Sequence, residues 1–347
     1  MTSIVEKELR LDFEKEYFAN RLQTLIHPTL ASFQKILKSY VAFNVFFCTL
    51  IALEVIYLFL HLTFLAQTFV LAFHLALIFA TCFSYFTLRL YFQSKKTDRC
   101  LRLKEDFIRA CQQAFNYQDS IPGSHMTLAN ACCQLANELH AKEYNLYSLP
   151  SWFDFLTPTA EKISCWCHWQ DVHFMKEVLL QASIAEHIKI VKIEPTSLEA
   201  HTGLANAYVM LSGLYVDPRT IEGLDEDRWI PPNKYNEEFK RKFRWTAERA
   251  IEEFKILSDY APNDPWVHTQ LAYSYRDLQM PKEEIQEYET ILKLCPEDKE
   301  ALFKLGKLYF QQGLNAKGLQ VYEDLKKSNY KKAESLIHFY GIYSSGT

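Results

Sequence analysis

Cys165-Trp166-Cys167-His168, with His173 five residues on, is the densest grouping of cysteine and histidine in the chain. Zinc sites use a Cys pair separated by two to four residues and a second pair at a distance. One intervening residue is poor spacing for a tetrahedral ion, so these thiols are expected to pack beside aromatics and no metal is expected. Cys132-Cys133, on a predicted helix, reads as packing in the same way. Nucleotide chemistry would call for Gly-x-Gly-x-x-Gly or a Gly-rich loop closing on Lys-Ser/Thr, and zinc proteolysis for His-Glu-x-x-His. None occurs, and 9 glycines in 347 residues leave little material for a phosphate cradle. The expectation is therefore no cofactor and no enzyme. One catalytic alternative is a membrane-tethered enzyme that uses the aromatic stretch 142–170 as a pocket, with Cys167 and His168 in it.

A second polar pair, Glu54 and His74, stands inside apolar sequence. Val41 to Phe92 is nearly continuous hydrophobic residues. Within 41–62 only Asn44, Thr49, Glu54 and His61 are polar, and within 69–90 only His74, Thr81, Ser84, Thr87 and Arg89. Each segment would form a helix of about 33 Å, enough for a hydrocarbon core of about 30 Å. The short uncharged link Thr63–Thr68 turns the second helix back beside the first, giving a helical hairpin that satisfies its own backbone in lipid. Lys35 and Lys38 precede the block, Lys95, Lys96, Arg99, Arg102 and Lys104 follow it, and the link carries no cation. Cations collect on the untranslocated side, so both termini are expected in the cytoplasm. The first span starts too far into the chain and is too long for the apolar region of a cleaved signal peptide. Counted from the link, Glu54 lies about eleven residues deep and His74 about eight, within a turn of each other. They are expected to hydrogen-bond within the hairpin or across a homo-oligomer formed through it. A carboxylate at this depth is costly, so it is a packing contact, a neutral acid or part of a proton path.

The rest of the composition sets the class. With Gly 9, Pro 12, Phe 25 and Tyr 20, the chain has few turn-forming residues and many large apolar ones. That excludes collagenous and low-complexity classes and disfavours a turn-rich sheet protein. A net charge of −4 from 38 basic and 42 acidic residues gives no electrostatic footprint for nucleic acid. Nine cysteines spread over a long chain point to a reducing compartment rather than a disulfide framework.

The C-terminal half is periodic. His268-x-x-Leu271-Ala272-x-x-Tyr275 with Tyr288, Ile291 and Pro296 recurs as Leu302-x-x-Leu305-Gly306-x-x-Tyr309 with Gly318, Tyr322 and Leu325, at an offset of 34 residues. Small Ala272 or Gly306 admits a neighbouring helix, and Pro296 ends one. His201-x-x-Leu204-Ala205-x-x-Tyr208 starts an earlier copy whose partner helix, with Ala250, Phe254, Leu257 and Pro262, follows an insertion at 215–244. Phe174–Ile193, closing at Pro195, is another partner helix, preceded by a helix with Leu128-Ala129 and Leu135-Ala136 and by the insertion 142–170. Asp98–Tyr117 is expected to be a degenerate copy, and Ala333–Tyr343 a capping helix. No single unit of this kind buries its apolar face alone, so the units must stack.

This pattern resembles the tetratricopeptide repeat, with Glu284 and Gly318 at its small-residue position in the second helix and Tyr330 in place of its closing proline. The resemblance implies helix pairs, A and B, whose A helices line a groove for an extended or helical peptide. Carried over, it places Glu199, Thr202, Asn206, Val209 and Met210 in that groove. It adds Trp266, Thr269, Tyr273, Arg276 and Asp277, then Glu300, Phe303, Lys307, Phe310 and Gln311. Relatives that hold a C-terminal carboxylate use a Lys, Asn and Arg set, of which only Asn206 is matched here, with Glu300 where Lys is expected. The bulky members of the set could equally pack between repeats.

The expected architecture is all-α. An amphipathic region 1–40, carrying Leu9, Leu11, Phe13, Phe18, Leu22 and Leu25 and either packed or self-associating, leads into the hairpin 41–92. A degenerate helical region 93–197 and repeats over 198–347 follow, bounded 198–262, 265–298 and 299–332. The expected partners are a protein in the groove and the lipid bilayer, with no nucleic acid. The expected function is a non-catalytic, membrane-anchored scaffold that recruits a protein to the cytoplasmic face. The layout of a paired hydrophobic hairpin with both tails on one side resembles that of chlamydial inclusion-membrane proteins, which would place it in a host vacuole membrane. A bacterial inner membrane is the other setting, where an assembly or quality-control factor would touch membrane clients through Glu54 and His74.

Overall fold

The computed structural model describes residues 2–60, 68–146, 155–220, 229–328 and 330–341, with backbone alone for 2–19 and 68. Among these residues every regular element is helical. The chain divides into two compact units, residues 1–183 with 228–234, and residues 184–227 with 235–347.

In the first unit, α1 (Thr2–Leu60) and α2 (Thr68–Ala114) are single long helices. Neither His27-Pro28 nor the polar stretch after Leu90 interrupts them. Pro28 lacks an N–H for the helical ladder, yet α1 continues through it. Leu22, Ile26, Phe33 and Leu37 are buried on both sides of the proline, so one packed face carries the helix across. On α2, Cys100, Phe107 and Cys111 are buried at similar spacing. The two helices run antiparallel. Lys96 Nζ lies 4.3 Å from the Tyr40 ring, Phe43 packs on Phe92 at 4.7 Å, and the Tyr85 hydroxyl donates to Asn44 Oδ1 at 3.1 Å. The Thr63–Thr68 link lies outside the described side chains.

Beyond Leu37 the apolar residues turn outward. Phe46, Leu53, Phe59, Phe73, Phe79 and Phe83 are each more than half exposed. Both helices are long and apolar enough to cross a membrane, with best-window mean hydropathies of 2.2 and 2.0, and those windows are 6% and 0% buried. A core helix of a water-soluble protein would bury this face.

The helix α3 (Pro122–Glu138) turns back on α2, and α4 (Thr157–Ile193) follows. The stretch 142–170 is therefore not wholly an insertion: its second half is the start of α4. Inward Ser164, Cys165, His168, Trp169, Val172 and Met175 give that half a helical period. Its aromatic residues at 147–154 lie outside the described residues. The other insertion, 215–244, is shorter than predicted, since its end is already helical. Part of it straps the first unit. Ile230 is buried, the Trp229 carbonyl accepts from the Tyr144 hydroxyl at 2.9 Å, and Lys234 Nζ lies 5.4 Å from the Trp169 ring.

The second unit is a tetratricopeptide-like solenoid. Its helix pairs are α5 (Leu198–Tyr215) with α6 (Glu237–Tyr260), α7 (Pro265–Asp277) with α8 (Pro281–Leu294), and α9 (Lys299–Gln311) with α10 (Asn315–Lys327). A short α11 (Ala333–Leu336) and a 3-10 turn through Phe339 cap it. The repeat is visible in details as well as in helices. Ser197, Asp264 and Asp298 each cap an A helix with a side-chain oxygen on a backbone N–H one turn in. Gly306 lies where an added Cβ would come within 2.8 Å of Val321 and Leu336, so the missing side chain is what lets α10 and α11 approach.

The A-to-B turn of each of the last two pairs closes on a residue at positive φ. Gly313 (φ 72°) donates to the Phe310 carbonyl and Leu314 to that of Tyr309, at 3.0 and 2.8 Å. One period earlier Gln279 (φ 57°) and Met280 make the same two bonds, to Arg276 and Tyr275, both at 2.9 Å. A side chain at this φ is strained, and glycine is not. Gln279→Gly is therefore expected to raise stability by about 0.5–1 kcal/mol, read as a higher urea midpoint with unchanged slope.

Candidate functional site

The A helices of the second unit carry the predicted groove set, and the structure treats its three groups differently. On α5, Glu199, Asn206 and Val209 are exposed, while Thr202 and Met210 are half-buried. On α7, Trp266 is exposed with its ring 6.1 Å from Phe254, and the Thr269 hydroxyl is turned back onto the Pro265 carbonyl. Tyr273 is half-buried between two cations. The Arg276 guanidinium lies 5.2 Å from its ring, and Lys304 of α9 donates to its hydroxyl at 3.1 Å. Arg276 also pairs with Asp277 at 3.1 Å. Lys304 was not in the predicted set. Its signal is positional, one turn from both Glu300 and Lys307 on the same helix.

The third group needs correction. Phe310 is 2% exposed, with its ring on Gly318 and edge-on to Tyr340 at 5.7 Å, so it is core and not groove. Glu300 holds Lys332 at 3.0 Å and accepts from the Tyr330 hydroxyl. Phe303 lies 6.3 Å from the Tyr330 ring, and Lys307 lies 4.9 Å from that of Phe339. The chain's own C-terminal segment thus occupies this stretch of α9. Tyr330, standing where the repeat closes on proline, keeps a side chain that folds back over the preceding A helix. The face left open runs over Glu199, Asn206 and Met210 of α5 and Trp266, Tyr273 and Arg276 of α7.

A histidine at the fourth position of α5 and of α7 ties each to its partner helix; α9 has Leu302 there. His201 Nδ1 meets Glu253 Oε2 of α6 at 2.6 Å, and its Nε2 donates to the Pro195 carbonyl at 3.0 Å. His268 repeats this with Glu287 at 2.7 Å and the Pro262 carbonyl at 2.9 Å. In the first unit His125 Nε2 meets the carbonyl six residues back, Asp119, at 3.0 Å, and Nδ1 meets the Tyr117 hydroxyl at 2.9 Å. His125-x-x-Leu128-Ala129 therefore marks α3 as an A helix of the same kind, a match readable in the sequence once His is counted with Leu-Ala.

The His201 pKa is raised. Burial opposes the charged ring, but the bond to Glu253, the bond to the Pro195 carbonyl and the Glu253 charge together outweigh it. A raised folded-state pKa means stabilisation present in full below about pH 6.5 and lost as pH rises through the raised value. His201→Gln is expected to remove that part of the decline in stability as pH rises above about 6.5, measured by urea unfolding at each pH.

Glu54 and His74 are not bonded to each other as predicted. Glu54 Oε1 accepts from the Thr81 hydroxyl at 2.9 Å, and His74 stacks on Tyr57 at 4.9 Å. Tyr57 stands one turn from Glu54 toward the link and meets the His74 ring first, while Thr81 lies two turns past His74. Glu54 and His74 still line one shallow hollow, with Leu53, Ile56, Tyr57 and Leu60. The other carboxyl oxygen, Oε2, is buried without a hydrogen-bond partner.

The cysteine cluster does not converge. Cys165 is buried and bonded to the Trp229 carbonyl, while Cys167 is exposed on the other face of α4. Among the described residues no group of three or more potential ligands is placed to hold a metal ion. Burial pushes the Cys100 and Cys111 thiols up to about 12, where they are poor nucleophiles.

No family model matches the chain, and no curated protein matches it. Solved structures similar to it include a thermophilic TPR protein of Thermus thermophilus, at 16% identity and TM-score 0.30, covering 68% of this chain and 96% of that one. An IFIT1 monomeric mutant with Gppp-AAAA matches at 11% identity and TM-score 0.34, over 77% of this chain and 68% of that one. The human IFIT1 dimer with m7Gppp-AAAA matches at 12% and 0.34, over 72% and 61%. At these scores the likenesses carry no argument. The assignment of helix pairs rests on the chain's own 34-residue register of caps, turns and small residues.

Proposed function

We propose that the chain is a non-catalytic scaffold anchored in a membrane by the α1–α2 hairpin, with its helical repeats recruiting a protein on the cytoplasmic side. The observation that carries this reading is the outward apolar face of both spans, Phe46, Leu53, Phe59, Phe79 and Phe83 among them, in helices that pack on each other through polar and aromatic contacts. Lipid-facing helices with cations gathered beyond one end fit a hairpin with both tails on one side. The repeats add an open face of mixed aromatic and polar side chains on α5 and α7, suited to an extended or helical protein segment.

The test places a photoreactive amino acid at Asn206 or at Trp266 in the full chain, with Lys293 on α8 as the control position. Crosslinks to one protein from both A-helix positions and not from Lys293 are expected. Equal yields from all three would reject the groove.

A second reading has its own observation. The shallow hollow that Glu54 and His74 line on the outside of the hairpin favours contact with membrane clients, as in an assembly or quality-control factor. Specific crosslinks from Leu53 to polytopic proteins, with none from Asn206 or Trp266, would move recognition from the repeats to the hairpin.

A further inference from the structure

Contacts within the first unit fix the direction of α4 against the membrane hairpin. Cys111 and Gln112 of α2, with Phe115 just past its end, line one hollow with Ser124, Thr127 and Leu128, so α3 returns antiparallel to α2. Cys133 of α3 meets Ser183 of α4 at 3.1 Å, and the Glu143 carbonyl beyond α3 accepts from Ser164 at 2.6 Å. Rising numbers on one side meet falling numbers on the other, so α4 is antiparallel to α3 and parallel to α2. The register is pinned by Lys96 Nζ, 2.8 Å from Asp171.

Counting back from that ion pair, Leu90, the expected end of the second span, lies six residues before Lys96, or about 9 Å. On α4, Trp166 lies about 7 Å and Ile163 about 12 Å before Asp171. The two therefore straddle the level at which the span leaves hydrocarbon. Both are outward: Trp166 is 67% and Ile163 52% exposed, with Leu156 exposed farther along the same direction. Lys162, one turn from Trp166, is exposed beside them. Tyr91 stands at that level of the hairpin, against Lys95, and Tyr40 lies more than a turn farther from the span, against Lys96. An aromatic girdle backed by lysines is the composition of a membrane–water interface. A helix face of Trp, Ile and Leu with a flanking Lys is what lies in the headgroup layer.

We propose that the amino-terminal end of α4, Thr157 to Trp166, with Leu156 just before it, is a third membrane-contacting element, seated in the interfacial layer of the bilayer beside the second span. The inference rests on the hairpin being membrane-spanning. The occupant of the exposed stripe is lipid, and α4 thereby sets the rest of the first unit at a fixed distance from the membrane.

The full chain is reconstituted into phosphatidylcholine–phosphatidylglycerol vesicles containing a lipid with a photoreactive group near its headgroup, and adducts are mapped by mass spectrometry. Adducts are expected in 155–167 as well as at the ends of the two spans. Ile163→Glu with Trp166→Glu is expected to lower those in 155–167 by about tenfold and leave the span adducts unchanged. Both side chains are exposed, so an unchanged unfolding midpoint in detergent is expected of that variant. Adducts at the spans alone would overturn the inference and leave the hairpin standing. Adducts in 155–167 that survive the double substitution would also overturn it. Adducts at neither place would reject the hairpin, and the inference with it.

Discussion

Asp171→Asn is expected to lower the stability of the first unit by about 2–3 kcal/mol, because it strands Lys96. Both carboxylate oxygens of Asp171 approach Lys96 Nζ at 2.8 Å, and the two side chains are only 14% and 13% exposed. Breaking a fully buried pair from one side costs about 3–5 kcal/mol, and the residual exposure here reduces that. What remains for the ammonium is the Tyr40 ring at 4.3 Å, an interaction of about 1 kcal/mol. The loss should be read as an earlier denaturant midpoint of the full chain in detergent. Replacing both partners, Lys96→Met with Asp171→Leu, is expected to recover most of it, since no charge is then left unpaired. A single substitution that changes stability by less than about 0.5 kcal/mol would mean that the pair is solvated in solution.

Glu284→Ala is expected to act in the opposite sense, raising the stability of the second unit by about 2 kcal/mol above neutral pH. Glu284 stands where the repeat has a small residue and is 5% exposed. Burial pushes its carboxyl up to about 7; Asp277 adds to the rise, while Arg276, Lys304 and Lys307 oppose it. For a raised folded-state pKa, stability relative to an ordinary glutamate is intact below about 4.5 and is lost as pH climbs through 7. Holding the charge at pH 8 then costs about 3 kcal/mol, of which the cavity left by truncation offsets part. The variant's advantage should therefore be present at about pH 8 and gone by about pH 4. An advantage independent of pH would show that the cause is packing.

The two long apolar helices and the 34-residue period were legible because an unbroken apolar run and a fixed repeat offset are strong signals. Leu271, Tyr275 and Tyr288 recur at Leu305, Tyr309 and Tyr322. Helix ends were less legible. Pro28 reads as a stop in local terms, but buried Ile26 and Phe33 on either side of it hold α1 together. The start of α4 was masked by aromatic residues that suggest a loop pocket, though Cys165, His168, Trp169 and Val172 already carry a helical spacing. In the candidate groove the positions inherited from the repeat pattern fall on the A helices, but the pattern is blind to what covers them. That Tyr330, Lys332, Phe339 and Tyr340 return onto α9 is a tertiary choice, made by the segment that follows α10. The Glu54 hydrogen bond failed for a similar reason: depth along two helices was readable, and rotation about them was not.

The central claim is a hairpin in the bilayer with both tails on the cytoplasmic side, and protease protection of the full chain tests it most directly. The chain would carry a tag at each terminus, in sealed vesicles of either orientation, followed by extraction with alkaline carbonate. Both tags are expected to be digested when the cytoplasmic face is outward and both protected when it is inward, leaving a carbonate-resistant fragment that spans 41–92. Tags protected on opposite sides, or release of the chain by carbonate, would contradict the account.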